Sequence, residues 1–172
     1  SIAPAREIMK KWDLMNNPDA VGATIYERWV KELENWIWED EFPVDQFMLH
    51  PTEDRTFEMI KKQSTAKWFD NKNTKDKLET INDIVLGSFK ATIDSLTLHN
   101  GPMTPETWAW AKVKNTSIAH LGKIPGFSRT GIINGGGRGI VNATSETHGP
   151  SWRMVIELDK EWPRGYGLYP GG

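Results

Sequence analysis

The chain has 172 residues, with 21 basic and 23 acidic side chains for a net charge of −2, and it contains no cysteine. The length predicts one domain over residues 1–172, and the balanced charge excludes the basic footprint of a nucleic-acid-binding protein. The lack of cysteine excludes disulfides, thiolate zinc sites and thiol nucleophiles, and no apolar run reaches the roughly 20 residues of a membrane span.

Helices are predicted throughout the first part of the chain, residues 1–104. Apolar side chains there recur at three- and four-residue steps, which is the period of one helix face. The Asn-Gly-Pro run at 100–102 is predicted to end the last of these helices. Asn73 or Thr74 is the candidate N-terminal cap of that same helix. The predicted helices cover residues 4–13, 18–40, 54–63 and 75–99.

The helix predicted over residues 18–40 is amphipathic. Its apolar stripe includes Leu33 and Trp36, and its opposite face carries charged residues such as Lys31 and Glu34. This pattern predicts a helix that buries one face in the core and leaves the charged face in water. A membrane-surface helix would need a basic polar face, which this segment lacks.

The period changes after residue 104, and residues 105–172 are predicted to be mainly strands and loops. Trp108 and Trp110 alternate with smaller residues, as in a short strand. Residues 120–131 have the composition of a loop, and the glycine run at 135–139 is predicted to be a tight turn. Helices first and strands last predict an α+β arrangement.

A hairpin is predicted near the end of the chain. Residues 140–144 and 151–158 have strand patterns, and the turn residues 148–150 lie between them. The two segments are therefore expected to pair antiparallel. Residues 162–167 are predicted to be a further turn, after which a third short strand begins at Leu168.

Motifs for common chemistry are missing or incomplete. The glycine run lacks the Lys-Ser/Thr of a phosphate-binding loop, and a strand rather than a helix is predicted after it. No Gly-x-Ser-x-Gly nucleophile elbow is present. The histidines lack the spacing of metal ligands, so no metal site is predicted. They are His50, His99, His120 and His148.

Ser1 is the one candidate nucleophile that the residues alone suggest. An N-terminal serine can attack a carbonyl with its own α-amine as base, because that amine titrates near ~8 and lies beside the hydroxyl. Pro4 and a predicted helix follow at once, and a frayed helix start is a poor seat for a nucleophile.

Nine tryptophans are spread over the predicted elements. Because large aromatic side chains dominate protein cores, most of these rings are expected to be buried. The alternative function is a Trp-rich module that binds glycans or peptides, which would need an exposed row of rings.

A glycine pair at 135–136, a strand pattern at 140–143, a Gly-Pro-Ser-Trp-Arg run at 149–153 and a Pro-Gly-Gly run at 170–172 follow one another in the last third of the chain. In this order they resemble the C-terminal part of the β chain of the penicillin acylase (penicillin amidase) family. That family has, in order, a glycine pair, a TVNA-like strand, a GPSxRMVxDL-like strand and a PGGQSG-like turn. Residues 108–127 are similar to the tryptophan-rich strand and loop that precede them. The matching residues are Gly135, Gly136, Asn142, Gly149, Pro150, Ser151, Trp152, Arg153, Gly171 and Gly172.

The resemblance implies both a fold and an activity. Family members are N-terminal nucleophile (Ntn) hydrolases with an αββα architecture, in which two stacked sheets lie between helix layers. They hydrolyse linear amide bonds of acylated small molecules, such as β-lactam side chains in antibiotic biosynthesis or acyl-homoserine lactones. The matching residues are expected to be structural in this chain.

Departures from the family pattern imply that the nucleophile and the oxyanion hole lie outside this chain. Ser1 is followed by Ile2 instead of asparagine and a strand, and the family's oxyanion-hole asparagine lies upstream, so Asn142 does not inherit that role. The chain is expected to be a C-terminal scaffold portion that is inactive in isolation.

The expected partners are the remainder of the same precursor, namely the α chain and the N-terminal part of the β chain, and a small-molecule amide as the substrate of the full enzyme. Nucleic acid is not an expected partner, and no membrane span is expected in this chain. No cofactor is expected in this chain, and calcium stays open for the full-length enzyme. The chain is expected to be soluble, with its compartment left open between periplasmic or extracellular and cytoplasmic.

Overall fold

A computed structural model describes residues 1–42, 50–124, 126–149 and 153–168. Helices come first and short antiparallel strands follow, so the predicted α+β class is confirmed. Among these residues no helix combines the length and the apolar character needed to cross a bilayer. The elements in order are α1 (Ala3–Lys11), α2 (Val21–Trp38), α3 (Glu53–Lys62), a 3₁₀ turn (Lys67–Phe69), α4 (Ile81–Asn100), α5 (Pro105–Trp108), α6 (Trp110–Lys114), β1 (Thr116–Ile118), β2 (Arg129–Ile132), β3 (Arg153–Glu157) and β4 (Arg164–Leu168).

The chain divides into two compact units. The first unit consists of Ser1–Leu14 and Val21–Met103, and the second consists of Met15–Ala20 and Thr104–Gly172. The segment between α1 and α2 therefore belongs to the second unit. Asn16 and Pro18 of this segment accept backbone hydrogen bonds from residues of that same unit.

The core of the first unit lies where α2 packs along α4. Large apolar side chains from α2, the 3₁₀ turn and α4 form one buried cluster, and burying each contributes about 1.5–3 kcal/mol. Its members are Leu33, Ile37, Trp38, Phe69 and Ile84. The indole Nε1 of Trp38 donates to Thr56 Oγ1 at 3.0 Å, so the one polar atom of this ring is satisfied inside the core.

The two faces of α2 differ from the prediction at two positions. Lys31 is exposed as predicted, but Glu34 is buried, and Trp36 from the predicted apolar stripe is among the exposed residues. The ring of Trp36 lies directly over Gly87 of α4, where a Cβ would collide with it. A periodic pattern takes no account of the shape of the partner helix. The missing side chain at Gly87 leaves room on α4 for the Trp36 ring, although Trp36 is exposed.

Thr80 starts α4 with a capping box. Its Oγ1 accepts from Asp83 N at 3.4 Å, and Asp83 Oδ2 accepts from Thr80 N at 2.9 Å, so both backbone donors are satisfied. The predicted caps, Asn73 and Thr74, were therefore placed too early. The apolar Leu78 extended the periodic pattern toward the N-terminus, but this side chain is exposed ahead of the helix.

Trp108 and Trp110 lie in two short helices, so the predicted strand was wrong. Thr104 caps α5 and Pro105 stands in its first turn, which are ordinary helix-start signals. Ala109 then leaves the helical conformation, with φ −54° and ψ 132°, before α6 begins. This extended residue between the helices lets both rings be buried two positions apart, which imitates the alternation of a strand.

The second unit contains two separate antiparallel pairs. β1 pairs with β2, with Thr116 opposite Ile132, so the loop predicted over 120–131 is wrong at its C-terminal end. β2 has the sequence Arg-Thr-Gly-Ile, and its first three residues are exposed. Its sequence therefore lacks the alternation of apolar and polar residues that indicates a strand.

The predicted hairpin had the wrong partner. β3 pairs with β4, with Arg153 opposite Leu168 and Glu157 opposite Arg164, so the turn predicted over 162–167 is mostly strand. Residues 140–144 contribute only an isolated bridge between Gly137 and Ala143. The glycines of β4 hide its strand pattern, because glycine is a weak strand former.

Candidate functional site

A buried polar cluster in the second unit joins α6 to the glycine-rich segment between β2 and β3. We name it the glycine-loop cluster. Trp110 and Lys114 lie four residues apart and therefore on one side of α6, and the other members come from the segment that follows β2. The cluster consists of Trp110, Lys114, Gly135, Gly136 and Thr144.

Lys114 is the centre of this cluster and is almost completely buried, with 1% of its surface exposed. Its Nζ donates to Gly135 O and to Thr144 Oγ1, both at 2.7 Å, and lies 5.4 Å from the centre of the Trp110 ring. The Trp110 Nε1 donates to Gly136 O at 2.6 Å, and Thr144 Oγ1 donates to Gly135 O at 2.8 Å. A buried ammonium group is tolerated only when its three donors are used, and here the third one reaches Gly136 O at 3.5 Å.

The two glycines of the cluster allow a close crossing of backbone segments. Gly136 N donates to Asn16 O at 2.9 Å, and Gly137 N donates to Asn142 O at 3.1 Å. A Cβ on Gly135 would collide with Asn16 O, and one on Gly136 would collide with Asn142 O. Gly136 also has φ +84°, which other residues adopt only with strain. At Gly135 and Gly136 the glycine-rich segment therefore passes in close contact with the backbone of Asn16 and Asn142.

A second group of polar side chains lies beside the cluster. The Thr116 hydroxyl is fully buried and lies 2.8 Å from Ser145 O and 3.0 Å from Asn134 Oδ1. Asn134 Nδ2 is buried and has no hydrogen-bond partner. A Cβ on Gly149 would lie 3.6 Å from this nitrogen, so Gly149 closes the same corner of the unit.

The hydrogen bonds of the cluster hold the backbone of the glycine-rich segment in place. The five cluster residues include no carboxylate and no imidazole, and the Thr144 hydroxyl accepts from Lys114 Nζ and donates to Gly135 O. Among the residues that the structure describes, no group of three or more His, Cys, Asp or Glu could hold a metal ion.

Ser1 is exposed at the start of α1. Ile2 already has helical backbone angles, with φ −85° and ψ −8°, and the helix begins at Ala3. A terminal nucleophile needs a rigid and buried seat. The structure gives Ser1 neither burial nor the strand that would hold it.

The remaining residues predicted as structural are described only in part. Asn142 and Gly149 lie in the segment between β2 and β3, and Arg153 begins β3. The structure brings Asn142 next to Gly136. The other predicted residues lie outside the described residues, and these are Pro150, Ser151, Trp152, Gly171 and Gly172.

Each of the histidines has a local partner. His50 Nδ1 lies near Pro51 O, His99 Nδ1 lies near Ser95 O, and His120 Nδ1 accepts from Gly122 N. His148 Nδ1 lies 3.1 Å from Ser145 Oγ. That hydroxyl also accepts from the backbone N–H groups of residues 147 and 148, which is a turn-stabilising arrangement.

The described tryptophans do not form an exposed row. Trp38, Trp108 and Trp110 are buried, and only Trp36 and Trp162, which belong to different units, are exposed. The feature that the Trp-rich binding module requires is therefore not found among the described rings.

Sequence reasoning missed Lys114 and Thr144, which are the polar centre of the glycine-loop cluster. A lysine four residues after a tryptophan on an amphipathic segment is normally solvent-exposed, so its type and spacing predicted nothing. The usable signal was the helix start at Thr104 and Pro105, since a helix here places Trp110 and Lys114 on one side.

Comparisons with known proteins gave one match. The penicillin amidase family matches residues 1–172 and so spans both units of the chain. Nothing matches in the comparisons with curated proteins and with solved structures.

Proposed function

The chain belongs to the penicillin amidase family, and on that basis we propose that it is the C-terminal scaffold portion of a penicillin acylase-like amidohydrolase. In this role it supplies helices and strands to an αββα Ntn hydrolase. That enzyme hydrolyses linear amide bonds of acylated small molecules, namely β-lactam side chains or acyl-homoserine lactones. The observation that carries the proposal is the family match over the whole chain.

The polar groups of the described residues support a scaffold role. The glycine-loop cluster uses its donors and acceptors to fix backbone, and Ser1 is exposed at a helix start. In the proposal, the nucleophile and the oxyanion hole come from the α chain and the N-terminal part of the β chain of the same precursor. Calcium is proposed only for that full-length enzyme.

An exposed apolar stretch supports a partner that covers it. Residues 118–141 carry several exposed large apolar side chains, and clustered exposure of this kind marks interaction surfaces. The same residues, 118–141, contain three basic and no acidic side chains, so the covering surface is expected to be apolar with acidic groups at its rim. The exposed side chains are Ile118, Leu121, Ile124, Phe127, Ile133, Ile140 and Val141.

The proposal is tested by expressing the chain alone and together with the remainder of its precursor, and by assaying a chromogenic phenylacetyl amide and an acyl-homoserine lactone. The chain alone should show no turnover, and the assembled protein should hydrolyse at least one of the two amides. Turnover by the chain alone that Ser1→Ala abolishes would overturn the proposal, as would an assembled protein that is inactive on both.

A matched pair of variants separates assembly from folding. Phe127→Asp places a charge in the exposed apolar stretch and should weaken co-purification with the remainder of the precursor. Leu98→Asp changes an equally exposed side chain on α4 and should leave co-purification unchanged. Equal effects of the two variants would contradict the assignment of the stretch as the covered surface.

A further inference from the structure

The dipeptide Asn134-Gly135 is a feature that the scaffold role leaves unexplained. The chain contains two Asn-Gly pairs, Asn100-Gly101 and Asn134-Gly135. In such a pair the backbone nitrogen of the glycine can attack the side-chain amide carbon of the asparagine, because no Cβ shields that nitrogen. We propose that Asn134 is a site of spontaneous deamidation, and that the fold of the second unit leaves Gly135 N available for the attack.

The reaction replaces one C–N bond with another and then adds water. Gly135 N attacks Asn134 Cγ, the new C–N bond closes a succinimide ring, and the bond from Cγ to Nδ2 breaks. The proton lost by Gly135 N is gained by the leaving nitrogen, which departs as ammonia. Water then opens the ring at one of its carbonyl carbons and leaves either aspartate or isoaspartate at position 134.

The attacking nitrogen differs from the next backbone nitrogens along the chain. Gly136 N donates to Asn16 O at 2.9 Å. Gly137 N donates to Asn142 O at 3.1 Å. Gly135 N has no acceptor among the residues that the structure describes, so it has no hydrogen bond to break before it attacks. A glycine is also required at this position, since a Cβ on Gly135 would collide with Asn16 O.

The surroundings of the Asn134 amide favour its loss. Thr116 Oγ1 lies 3.0 Å from Asn134 Oδ1 and 2.8 Å from Ser145 O, so its single proton is shared between these acceptors. A donor at a carbonyl oxygen stabilises the negative charge that develops there when the carbon is attacked. Asn134 Nδ2, the leaving nitrogen, is buried and has no hydrogen-bond partner in the described part of the chain. Because an unpaired buried donor is costly, its departure as ammonia removes an unfavourable contact.

Asn100-Gly101 is a matched control within the same chain. Asn100 is the last residue of α4, and Gly101 N donates to Thr97 O at 3.0 Å. This hydrogen bond must break before Gly101 N can attack, and such local opening of a helix end costs free energy. The same dipeptide therefore occurs in two settings, and these differ in whether the attacking nitrogen is already bonded.

The products of the reaction should loosen the glycine-loop cluster. Isoaspartate adds a methylene to the backbone between residues 134 and 135, directly before the close contact of Gly135 with Asn16 O. Aspartate keeps the backbone length but places a charge where the buried amide was, which is unfavourable unless the charge is paired. Both products should disturb the position of Gly135 O, which accepts from Lys114 Nζ at 2.7 Å. The second unit is therefore expected to lose stability as the protein ages.

The test incubates the unmodified 172-residue chain in native buffer and in urea at the same mildly alkaline pH, because the attacking nitrogen must lose its proton. Mass spectrometry of a digest measures the gain of about 1 Da in each Asn-Gly peptide, with fragmentation that separates isoaspartate from aspartate. In native buffer Asn134 should deamidate at least about tenfold faster than Asn100, because the end of α4 must open first. In urea the two rates should agree within about threefold, since neither pair keeps its native setting. Equal rates at the two sites in native buffer overturn the proposal, as does an Asn134 peptide that gains no mass.

Asn134→Gln is the control for the structural consequence. Glutamine keeps the amide but would have to close a larger ring, which forms far more slowly, so its peptide should show no mass gain. After incubation, amide hydrogens of residues 135–144 should exchange faster in the native chain, and those of α2 and α4 at unchanged rates. An equal increase in the Asn134→Gln chain would contradict the claim that deamidation loosens the cluster. The rates at Asn134 and Asn100 need no variant, so they decide the proposal even if Asn134→Gln alters the fold.

This inference is independent of the proposed function. Its readout is the mass of a peptide from the chain itself, whereas the proposed function is tested by turnover of an amide substrate after assembly with the precursor. A negative result in one experiment leaves the other unaffected.

Discussion

The buried ammonium group of Lys114 makes a sharp prediction about stability. Lys114→Met keeps most of the side-chain volume and the apolar stem but removes the charged donor. The variant loses the hydrogen bonds to Gly135 O and Thr144 Oγ1, both 2.7 Å long in the native chain, and a longer one of 3.5 Å to Gly136 O. We expect the second unit to be destabilised by about 2–4 kcal/mol.

This magnitude follows from the partners that remain. Each hydrogen bond from a charged donor contributes about 1.5–3 kcal/mol. After the substitution Gly135 O still accepts from Thr144 Oγ1, and Gly136 O still accepts from Trp110 Nε1, so neither carbonyl is left without a donor. Removing a buried charge also relieves its desolvation cost, which offsets part of the loss. The expected range is the sum for the two 2.7 Å hydrogen bonds and the weaker 3.5 Å one, reduced by this gain in desolvation energy.

The measurement is urea unfolding of native and variant chains, followed by circular dichroism and by hydrogen exchange of the second unit. Lys112→Met is the matched control, because Lys112 lies on the same helix and is exposed, with its Nζ 3.1 Å from Glu106 O. The control should change the free energy of unfolding by less than about 0.5 kcal/mol. A loss under about 1 kcal/mol for Lys114→Met would show that the cluster does not hold the glycine-rich segment.

Two further predictions concern backbone strain and pH. Gly136→Ala should lower the free energy of unfolding in urea by more than about 3 kcal/mol, because it adds a collision with Asn142 O to the strain of φ +84°. Gly139 has φ +73° and open space around it, so Gly139→Ala should lower the free energy of unfolding only by the backbone strain of about 1–2 kcal/mol. Similar costs for the two variants would show that the close approach is unimportant. Hydrogen bonds from Lys77 and then Thr80 hold the pKa of the Asp83 carboxyl below its usual range. The ionised carboxylate therefore stabilises the folded chain fully above the pKa of an unfolded aspartate, about 3.9, and this stabilisation is lost as the pH falls from there toward the lowered pKa of the folded state. An acid titration of stability should therefore be shallower for Asp83→Asn than for the native chain, and identical slopes would contradict the capping role of this carboxylate.

The helical first unit was predictable because its signals are long. A stripe repeated over four or five turns located α2 and α4, and tertiary packing altered only details such as the exposure of Trp36. The start of α4 was misplaced because Leu78 continued the stripe beyond the capping residue. A local hydrogen-bond pattern at Thr80 decides that boundary, and periodicity does not report it.

The second unit was harder because its elements are short and its organisation depends on distant contacts. Two buried tryptophans on either side of Ala109 had the spacing of a strand although they lie in two helices. The family resemblance identified the glycine pair as structural, but it did not indicate that Lys114 would donate to Gly135 O. That contact joins positions 21 residues apart, and no single-sequence pattern encodes it.

The membership of Met15–Ala20 in the second unit has a consequence for how the protein is made. Gly136, which donates to Asn16 O, follows Asn16 by 120 residues. At a synthesis rate of about 5–20 residues per second, Asn16 leaves the ribosome roughly 6–24 seconds before its partner exists. The helices on either side of this segment can form during that interval, whereas the second unit must wait for the last third of the chain. The two backbone segments joined by this hydrogen bond therefore meet only after residue 136 has been synthesised.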